Sequence, residues 1–302
     1  MNFLVYLEGI RTPFWNIFFS IITYLGRETV FLALALVLVW CVNKKYGFFI
    51  LYCGLIGQSV SQYLKIFFKV ERPWIANSDF KPIESAIAEA KGFSFPSGHT
   101  QIATTTYGGL ALLYRRYKWF SVSMVAIVLL VAFSRMYLGV HYPSDVLFSL
   151  IFNSLLVILF YYLGKHFSSQ KFSNILRVLA IAVIGSIFVY SFVKSSISLD
   201  VAAYADTLDF SSKMFGASSA FVISWYVDEK WLNYQTEASF GIQFAKAVPG
   251  IVLLVSMKEG LKYLFKMIGT PHLAANFIRY FAIVIFAGTI WPWIFMKFVK
   301  RK

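Results

Sequence analysis

Long apolar stretches alternate with short polar ones along almost the whole chain. The apolar segments occupy residues 7–25, 29–43, 47–67, 99–114, 119–138, 145–163, 176–194, 212–227, 242–265 and 276–296. Most of them approach the length of about 20 residues that a helix needs to cross a bilayer. The pattern predicts an all-α integral membrane protein, because helices satisfy their backbone polar groups internally.

The fourth apolar segment differs from its neighbours. It contains "TQIATTTYGGLALLY", which is short and rich in hydroxyl side chains. Such a helix is poorly suited to contact lipid, and small and hydroxylated residues favour helix–helix contacts. We expect it to lie inside the helix bundle.

The composition agrees with a membrane protein. Of the 302 residues, 59% are hydrophobic and 14% are charged, and the mean hydropathy is +0.67. A soluble domain is about half apolar and about a quarter charged. The two cysteines, Cys41 and Cys53, have no metal-ligand spacing and are expected to be small buried hydrophobic residues.

The net charge of +14 reflects basic residues that cluster between apolar segments. The stretches 43–47, 114–118 and 164–171 contain no acidic residue and follow the positive-inside pattern. They place the loops 69–91 and 195–211 on the outer face and both termini on the cytoplasmic face. The charge therefore indicates membrane topology, and no nucleic-acid partner is expected.

The last third of the chain fits this alternation less well. The stretch 225–240 would be an inner loop but is net acidic, and 257–266 would lie outside but is basic. These signs leave a re-entrant segment open. We expect about three to four transmembrane helices in this part of the chain.

Three polar clusters lie at the ends of segments that this topology puts on the outer side, and ionisable residues in membrane segments are functional candidates. The first is "YLKIFFKVERPW", in which Lys65 and Arg72 lie seven residues apart, close to two helical turns. Taken alone, both side chains could simply extend to the membrane interface and keep their charges in water.

The second cluster is "FSFPSGH", which precedes a helix. Free N–H groups at a helix start bind anions, Gly98 lets an oxygen approach closely, and Ser97 adds a hydroxyl. His99 would then point at the bound group. The alternative is a helix cap followed by one interfacial histidine.

The third cluster is "SRMYLGVHYPSD", in which Arg135 lies near the end of the fifth segment. Pro143 suits the first position of a helix, so Asp145 falls in that helix's first turn, four residues after His141. The carboxylate can accept a hydrogen bond from Nδ1 and leave Nε2 free to react. The alternative is a capped helix with a surface histidine.

Together the clusters are suited to a tetrahedral dianion, because guanidinium groups bind phosphate oxygens in pairs and lysine adds a point charge. The expected donors are Lys65, Arg72, Arg135, Ser97 and the Gly98 N–H. His141 and His99 would supply a nucleophile and an acid. The sequence contains no cluster with metal-ligand spacing, so neither a metal nor another cofactor is expected.

The order of these motifs resembles that of the type 2 phosphatidic acid phosphatase superfamily. The chain carries KxxxxxxRP from Lys65 to Pro73, PSGH from Pro96 to His99, and SRxxxxxHxxxD from Ser134 to Asp145. That superfamily includes lipid phosphate phosphatases, glucose-6-phosphatase and vanadium haloperoxidases. The resemblance covers residues 1–165 and implies a six-helix phosphatase core.

The resemblance also implies the roles of the site residues. His141 would be the nucleophile that forms a phosphohistidine, oriented by Asp145, and His99 would protonate the leaving oxygen and later activate water. The phosphoryl oxygens would be held by Lys65, Arg72, Ser97, Gly98 and Arg135. No catalytic residue of the family maps beyond the core.

The predicted organisation is a phosphatase core, residues 1–168, followed by a C-terminal transmembrane extension, residues 169–302. The extension could line a path for lipid, form the face of a homodimer or only add bulk.

The sequence predicts a metal-independent phosphatase of the bacterial plasma membrane that hydrolyses a lipid phosphate or diphosphate, such as an isoprenoid diphosphate or phosphatidic acid, on the extracytoplasmic face. A phosphotransferase that passes the phosphoryl group to a lipid or sugar hydroxyl stays open, as do a vanadate haloperoxidase and a non-enzymatic lipid transporter. Phosphate release without an acceptor would argue against the transferase. A transporter would not need both histidines, and a haloperoxidase is usually soluble.

Overall fold

The protein is all-helical in the computed structural model, which describes residues 1–90, 92–166, 170–197 and 201–298. In these residues no strand occurs, which confirms the all-α prediction. The helices are α1 (Asn2–Gly9), α2 (Pro13–Tyr24), α3 (Glu28–Val37), α4 (Lys44–Phe68), α5 (Pro73–Ala76), α6 (Glu84–Ile87), α7 (Gly98–Ala103), α8 (Gly109–Leu113), α9 (Lys118–Tyr137), α10 (Pro143–His166), α11 (Gln170–Ile197), α12 (Val201–Val227), α13 (Phe240–Met267), α14 (His272–Ile285) and α15 (Trp291–Phe298). Short π-helical segments occur at Leu38–Val42, Thr104–Gly108, Asp228–Leu232 and Phe286–Ile290.

Five stretches of helix are long and apolar enough to cross a membrane. They are Lys118–Tyr137, Pro143–Gly164, Ser173–Val193, Phe240–Met267 and His272–Lys297. Pro13–Tyr24 and Glu28–Val42 pass the same test only as a pair, bent by 47°. Separate spans at 7–25 and 29–43 are therefore not found, because each helix of the pair is too short alone. The chain is an integral membrane protein.

The chain divides into two compact units. The first comprises Met1–Leu32 and Ile56–Phe167, and the second comprises Ala33–Leu55 and Ser168–Lys302. The basic stretch 164–171 and the boundary at residues 168 and 169 lie wholly or partly outside the described residues. The predicted division into core and extension therefore stays a prediction.

In the first unit, α2 packs against the last turns of α9. Its start is fixed by the Thr12 hydroxyl, which accepts a hydrogen bond from the Trp15 N–H at 3.4 Å. The Tyr137 hydroxyl donates to Asn16 Oδ1 at 3.0 Å, and Arg135 donates to Thr23 Oγ1 at 2.7 Å. Residues along α2 thus contact the last turn of α9, and α2 is one half of the bent pair that passes the membrane test.

The turn between α9 and α10 depends on a glycine. Gly139 has φ of +77°, a conformation that residues with a Cβ rarely adopt. A Cβ there would lie 2.8 Å from both Arg11 Nη2 and the Phe80 ring. The turn is therefore held tightly against the N-terminal residues of the chain, and it carries His141 between the two helices.

In the second unit, α12 packs closely on α14. Ser212, Gly216, Ala220 and Ser224 recur every four residues along α12, and a Cβ on Gly216 would collide with the backbone of Phe277. Small residues at this spacing allow helices to approach closely within a membrane. This packing accounts for the polar character of α12 without requiring a ligand.

The acidic stretch 225–240 is also explained by contacts within the second unit. Asp228 forms an ion pair with Lys44 at 2.9 Å, and Glu229 forms one with Arg177 at 3.0 Å. Two of its carboxylates neutralise the partly exposed Lys44 and the buried Arg177, so the sign of the stretch carries little information about the side of the membrane on which it lies.

Candidate active site

The first unit brings the three sequence clusters together at one end of its helices. Lys65 lies in the last turn of α4 and Arg135 in the last turn of α9. Ser97 caps α7, and Asp145 lies in the first turn of α10. Two helix ends and two helix starts therefore converge, and the N–H groups of the starts add to the positive potential of the cations.

His141 and Asp145 form the pair that their spacing predicts. His141 Nδ1 lies 3.3 Å from Asp145 Oδ2, and both side chains are almost fully buried. The same oxygen accepts hydrogen bonds from Ser94 Oγ at 2.6 Å and from the Tyr142 N–H at 3.0 Å. The carboxylate is therefore held from three sides, and it favours the tautomer of His141 that has its proton on Nδ1.

Arg72 lies close to both nitrogens of the His141 ring, with Nη1 at 3.4 Å from Nδ1. Its Nη1 is 2.9 Å from His141 Nε2 and donates to the Val140 carbonyl at 2.8 Å. Its Nε donates to the Gly92 carbonyl at 3.1 Å. The guanidinium is thus fixed beside the His141 ring, closest to the nitrogen that Asp145 does not contact.

Two further cations are buried near this pair. Lys65 Nζ donates to the Phe93 carbonyl at 2.6 Å, which leaves other ammonium protons for a ligand. Arg135 has 1% of its surface exposed, and its Nε has no hydrogen-bond partner among the described residues. Buried cations with unused donors favour the binding of an anion.

The start of α7 is open on its outer side. Ser97 Oγ lies 2.9 Å from Thr100 Oγ1, and the Ser97 N–H donates to Ser149 Oγ at 2.9 Å. A Cβ placed on Gly98 would have no atom of another residue within 4 Å. There is space beside the first N–H groups of this helix for an oxygen of a ligand.

His99 lies beside a carboxylate that the sequence does not predict, although burial and then Arg135 lower the pKa of His99 to about 4. Its Nε2 is 3.4 Å from Glu89 Oε2, although the geometry is not that of an aligned hydrogen bond. Arg27 Nε donates to the same Glu89 oxygen at 2.9 Å. His99 and then Arg27 hold the pKa of Glu89 below its usual value despite partial burial.

Burial and the neighbouring positive charges keep His141 uncharged. Burial is the main reason that the pKa of His141 lies well below its ordinary value of 6.5, and the nearby charges of Arg72, Arg135 and Lys65 act in the same direction. Burial lowers the pKa of Arg72 to about 10, so the guanidinium stays protonated at neutral pH. The arrangement pairs a neutral imidazole with a cation.

The structure therefore places all eight predicted residues at one end of the first unit. Sequence reasoning missed five residues that support them: Ser94, Ser149, Glu89, Arg27 and Thr23. Ser94 and Ser149 lie next to the predicted motifs, and Ser94 is part of the "FSFPSGH" stretch. Among the described residues, no group of three histidine, cysteine, aspartate or glutamate side chains could hold a metal ion.

Two sequence families match the chain. Residues 45–169 match the PAP2 superfamily, and residues 212–302 match a family described as "PAP2 superfamily phosphatase, transmembrane extension". The two matches leave residues 1–44 and 170–211 uncovered, and the first contains every predicted site residue.

Curated relatives and one solved structure are also similar. The undecaprenyl-diphosphatase of Bacillus subtilis is 31% identical over 151 residues, which are 48% of this chain and 69% of the relative. The phosphatidylglycerophosphatase B of the same organism is 31% identical over 151 residues, 46% of this chain and 70% of the relative. A crystal structure of a transmembrane PAP2-type phosphatidylglycerolphosphate phosphatase from Bacillus subtilis aligns with a TM-score of 0.46 and 26% identity, covering 55% of this chain and 84% of that one.

Proposed function

The chain belongs to the PAP2 superfamily, and from this membership we propose that it hydrolyses a lipid phosphate or diphosphate through a phosphohistidine on His141. It is a membrane phosphatase with a C-terminal transmembrane extension, as its motifs predict. The mechanism, the substrate and the side of the membrane on which the site lies are what we propose.

One observation carries the mechanism: Asp145 contacts His141 Nδ1, and Arg72 lies beside the ring with its shortest contact to Nε2. The neutral ring has a lone pair on Nε2, and Asp145 stabilises the positive charge that develops when this nitrogen bonds to phosphorus. As the N–P bond forms, the bond from phosphorus to the lipid oxygen breaks. The Arg72 contact with Nε2 would give way to a contact with a phosphoryl oxygen.

The remaining donors would stabilise the transferred group. Lys65, Arg135 and the start of α7 surround the position next to His141 Nε2 with positive charge and N–H groups. Phosphoryl transfer is catalysed mainly by positioning and by stabilising charge on the equatorial oxygens. These residues fulfil both requirements without moving, because their other donors already hold the Phe93 carbonyl, Thr23 and Ser149.

His99 would exchange protons with the leaving group and then with water. In the first step its protonated form donates a proton to the lipid oxygen, and in the second the neutral ring accepts a proton from the water that attacks the phosphohistidine. Glu89 stabilises the protonated ring, and Arg27 holds Glu89 in place. Water thus enters as a reactant, and phosphate and the lipid alcohol (or lipid monophosphate) leave.

An aromatic surface beside the site supports a lipid substrate. Phe67 and Phe68 follow Lys65 within one turn, and more than half of each side chain is exposed. Phe68 contacts Phe95 with 5.2 Å between ring centres. A phosphate held by Lys65 would have its apolar chain beside these rings. We propose an isoprenoid diphosphate as substrate, with phosphatidic acid or phosphatidylglycerol phosphate as the alternatives.

The cell compartment follows from the basic stretches. Lys118 and Arg135 lie 17 residues, about 25 Å, apart at opposite ends of α9, which is long and apolar enough to cross a membrane. If the basic stretch 114–118 lies at the cytoplasmic face, Arg135 lies at the outer face of the plasma membrane. The substrate would then come from the outer leaflet of a bacterial membrane.

Phosphate release by the purified protein tests this function. The protein is assayed in detergent with EDTA against undecaprenyl diphosphate, phosphatidic acid and phosphatidylglycerol phosphate. We expect release from at least one lipid in EDTA, and none with His141→Ala. Activity that EDTA abolishes and magnesium restores would contradict a metal-independent site, and release only on addition of a hydroxyl acceptor would indicate the phosphotransferase. If the protein moves lipid but releases no phosphate, it is a transporter.

A further inference from the structure

Three helices carry polar stripes that run from the active site into the bundle. Each stripe repeats every four residues, so its members share one face of the helix. The stripes are Lys65, Ser61 and Gly57 on α4, Ser97, Gln101 and Thr105 on α7 and its π-helical continuation, and Asp145, Ser149 and Asn153 on α10. The innermost positions lie two turns, about 12 Å, from the phosphate-binding end.

The inner ends of the stripes meet beside Gly57. A Cβ on Gly57 would lie 2.7 Å from Gln101 Nε2 and 2.7 Å from Asn153 Oδ1. Both amide side chains therefore approach the same point, and the absence of a side chain at Gly57 leaves them room. Gln101 has 1% and Asn153 2% of its surface exposed, so bulk solvent does not satisfy them.

Many polar atoms at these positions have no hydrogen-bond partner among the described residues. These atoms are Gln101 Nε2 and Oε1, Asn153 Oδ1, Thr105 Oγ1 and Ser61 Oγ. The case of Thr105 is informative, because Thr104 and Thr106 donate to carbonyls of their own helix whereas Thr105 does not. A buried amide or hydroxyl without a partner destabilises the folded state, so this concentration of unpaired atoms points to a ligand.

The chemistry of these atoms selects the ligand. Donors and acceptors are both unused, which favours a small neutral molecule that can donate and accept. A cation is disfavoured because Lys65, Arg72 and Arg135 lie at the phosphate-binding end. The inner positions of the three stripes, all of them described, include no carboxylate. An anion is disfavoured by the free carbonyl oxygens of Gln101 and Asn153.

We propose that ordered water binds the unpaired amide atoms of Gln101 and Asn153 beside Gly57. This hydrated site stabilises the helices that begin near Ser97 and Asp145. Buried water typically makes about three hydrogen bonds to groups that would otherwise lack partners. Asn153 Nδ2 donates to the Ser149 carbonyl at 2.8 Å, and Ser149 Oγ accepts from the Ser97 N–H. The water thus completes a network that ends at the start of α7.

The direction in which Gln101→Met changes the apparent Tm tests the proposal. Methionine matches glutamine in length but makes no amide hydrogen bonds. In a hydrated site, Gln101→Met removes partners from bound water and lowers the apparent Tm in detergent, by about 3–6 °C. In a dry site it relieves an unpaired buried amide and raises Tm. Gln62→Met, at a partly exposed position of α4, is the control and should change Tm little.

A second measurement on the unaltered protein keeps the proposal testable if Gln101→Met does not fold. A cryo-electron microscopy or crystal structure that resolves water should show ordered density within hydrogen-bond distance of Gln101 and Asn153. An unchanged or higher Tm for Gln101→Met would overturn the proposal. So would a structure in which the two amides bond directly to each other with no room for water. Neither result bears on the phosphatase activity, which is measured separately.

Discussion

Arg72 Nη1 lies 2.9 Å from His141 Nε2, on the ring nitrogen that Asp145 leaves free. Sixty-nine residues separate the two in the chain, and the contact forms because the Val140 and Gly92 carbonyls hold the guanidinium in place. A cation in van der Waals reach of a nucleophile does not aid the free enzyme. It becomes useful when an anion binds between them, which is the reason that we place the phosphorus atom there.

The first prediction concerns the shape of this cation. Arg72→Lys keeps a positive charge but removes the planar donors that bind two oxygens at once. We expect kcat/KM for phosphate release to fall by about 100-fold. Arg115→Lys is the matched control, since Arg115 precedes α9 at the end far from the site. The activity of this variant should equal that of the unaltered protein. Equal losses in both variants would remove Arg72 from the site.

The second prediction concerns Glu89 as a positioning residue for His99. Glu89→Gln keeps the size of the side chain but removes the charge that stabilises protonated His99. We expect kcat to fall about tenfold with KM nearly unchanged, and the basic side of the pH profile of kcat to move to lower pH. Glu84→Gln, in the nearby helix α6, serves as the control. A change in KM alone, with an unshifted profile, would show that Glu89 only shapes substrate binding.

The third prediction concerns the acid side of the pH profile. The pKa of His141 is held below 6.5 by burial and then by Arg72. The nucleophilic neutral form therefore persists as the pH falls through 6.5, and it is lost only at lower pH. We expect kcat/KM to stay high at pH 6 after correction for ionisation of the substrate, since this ratio reports groups of the free enzyme. If kcat/KM fell to half its maximum at a pH above 6.5 through protonation of His141, the result would contradict the burial of this ring.

The fourth prediction concerns the side of the membrane. Ser85 is exposed near the site, and Tyr117, which is 68% exposed, precedes α9 at the opposite end, about 30 Å away. Single cysteines are placed at these positions in a protein without Cys41 and Cys53. We expect an impermeant maleimide to label the cysteine at position 85 in intact cells and the one at position 117 only after lysis. The reverse pattern would put the active site in the cytoplasm.

Much of the site could be predicted from sequence because its residues lie in short local motifs. Asp145 follows His141 by one turn, and Ser97 precedes Gly98 and His99 at a helix start, so backbone geometry alone brings these groups together. Arg72, Lys65 and Arg135 could be assigned only from the joint pattern of the three clusters, because Lys65 and Arg72 alone could equally extend to the membrane interface.

The parts that could not be predicted depend on contacts distant in sequence. Glu89 pairs with Arg27 across 62 residues, and Thr23 accepts from Arg135 across 112 residues, and no local pattern marks either pair. The bend between α2 and α3 could not be predicted either. The apolar pattern does not mark it, and the contact of Asn16 with Tyr137 that holds α2 against α9 joins residues distant in sequence.

The covalent intermediate is the most direct test of the whole account. The protein is mixed with a substrate carrying a radioactive phosphoryl group, quenched within milliseconds, and the labelled residue is identified. We predict an acid-labile, base-stable adduct on His141 that is absent in His141→Ala and that, once formed, breaks down more slowly in His99→Ala, because the second step needs His99 to activate water. An adduct that persists in His141→Ala, or turnover by that variant at the normal rate, would contradict the assignment of His141 as the nucleophile.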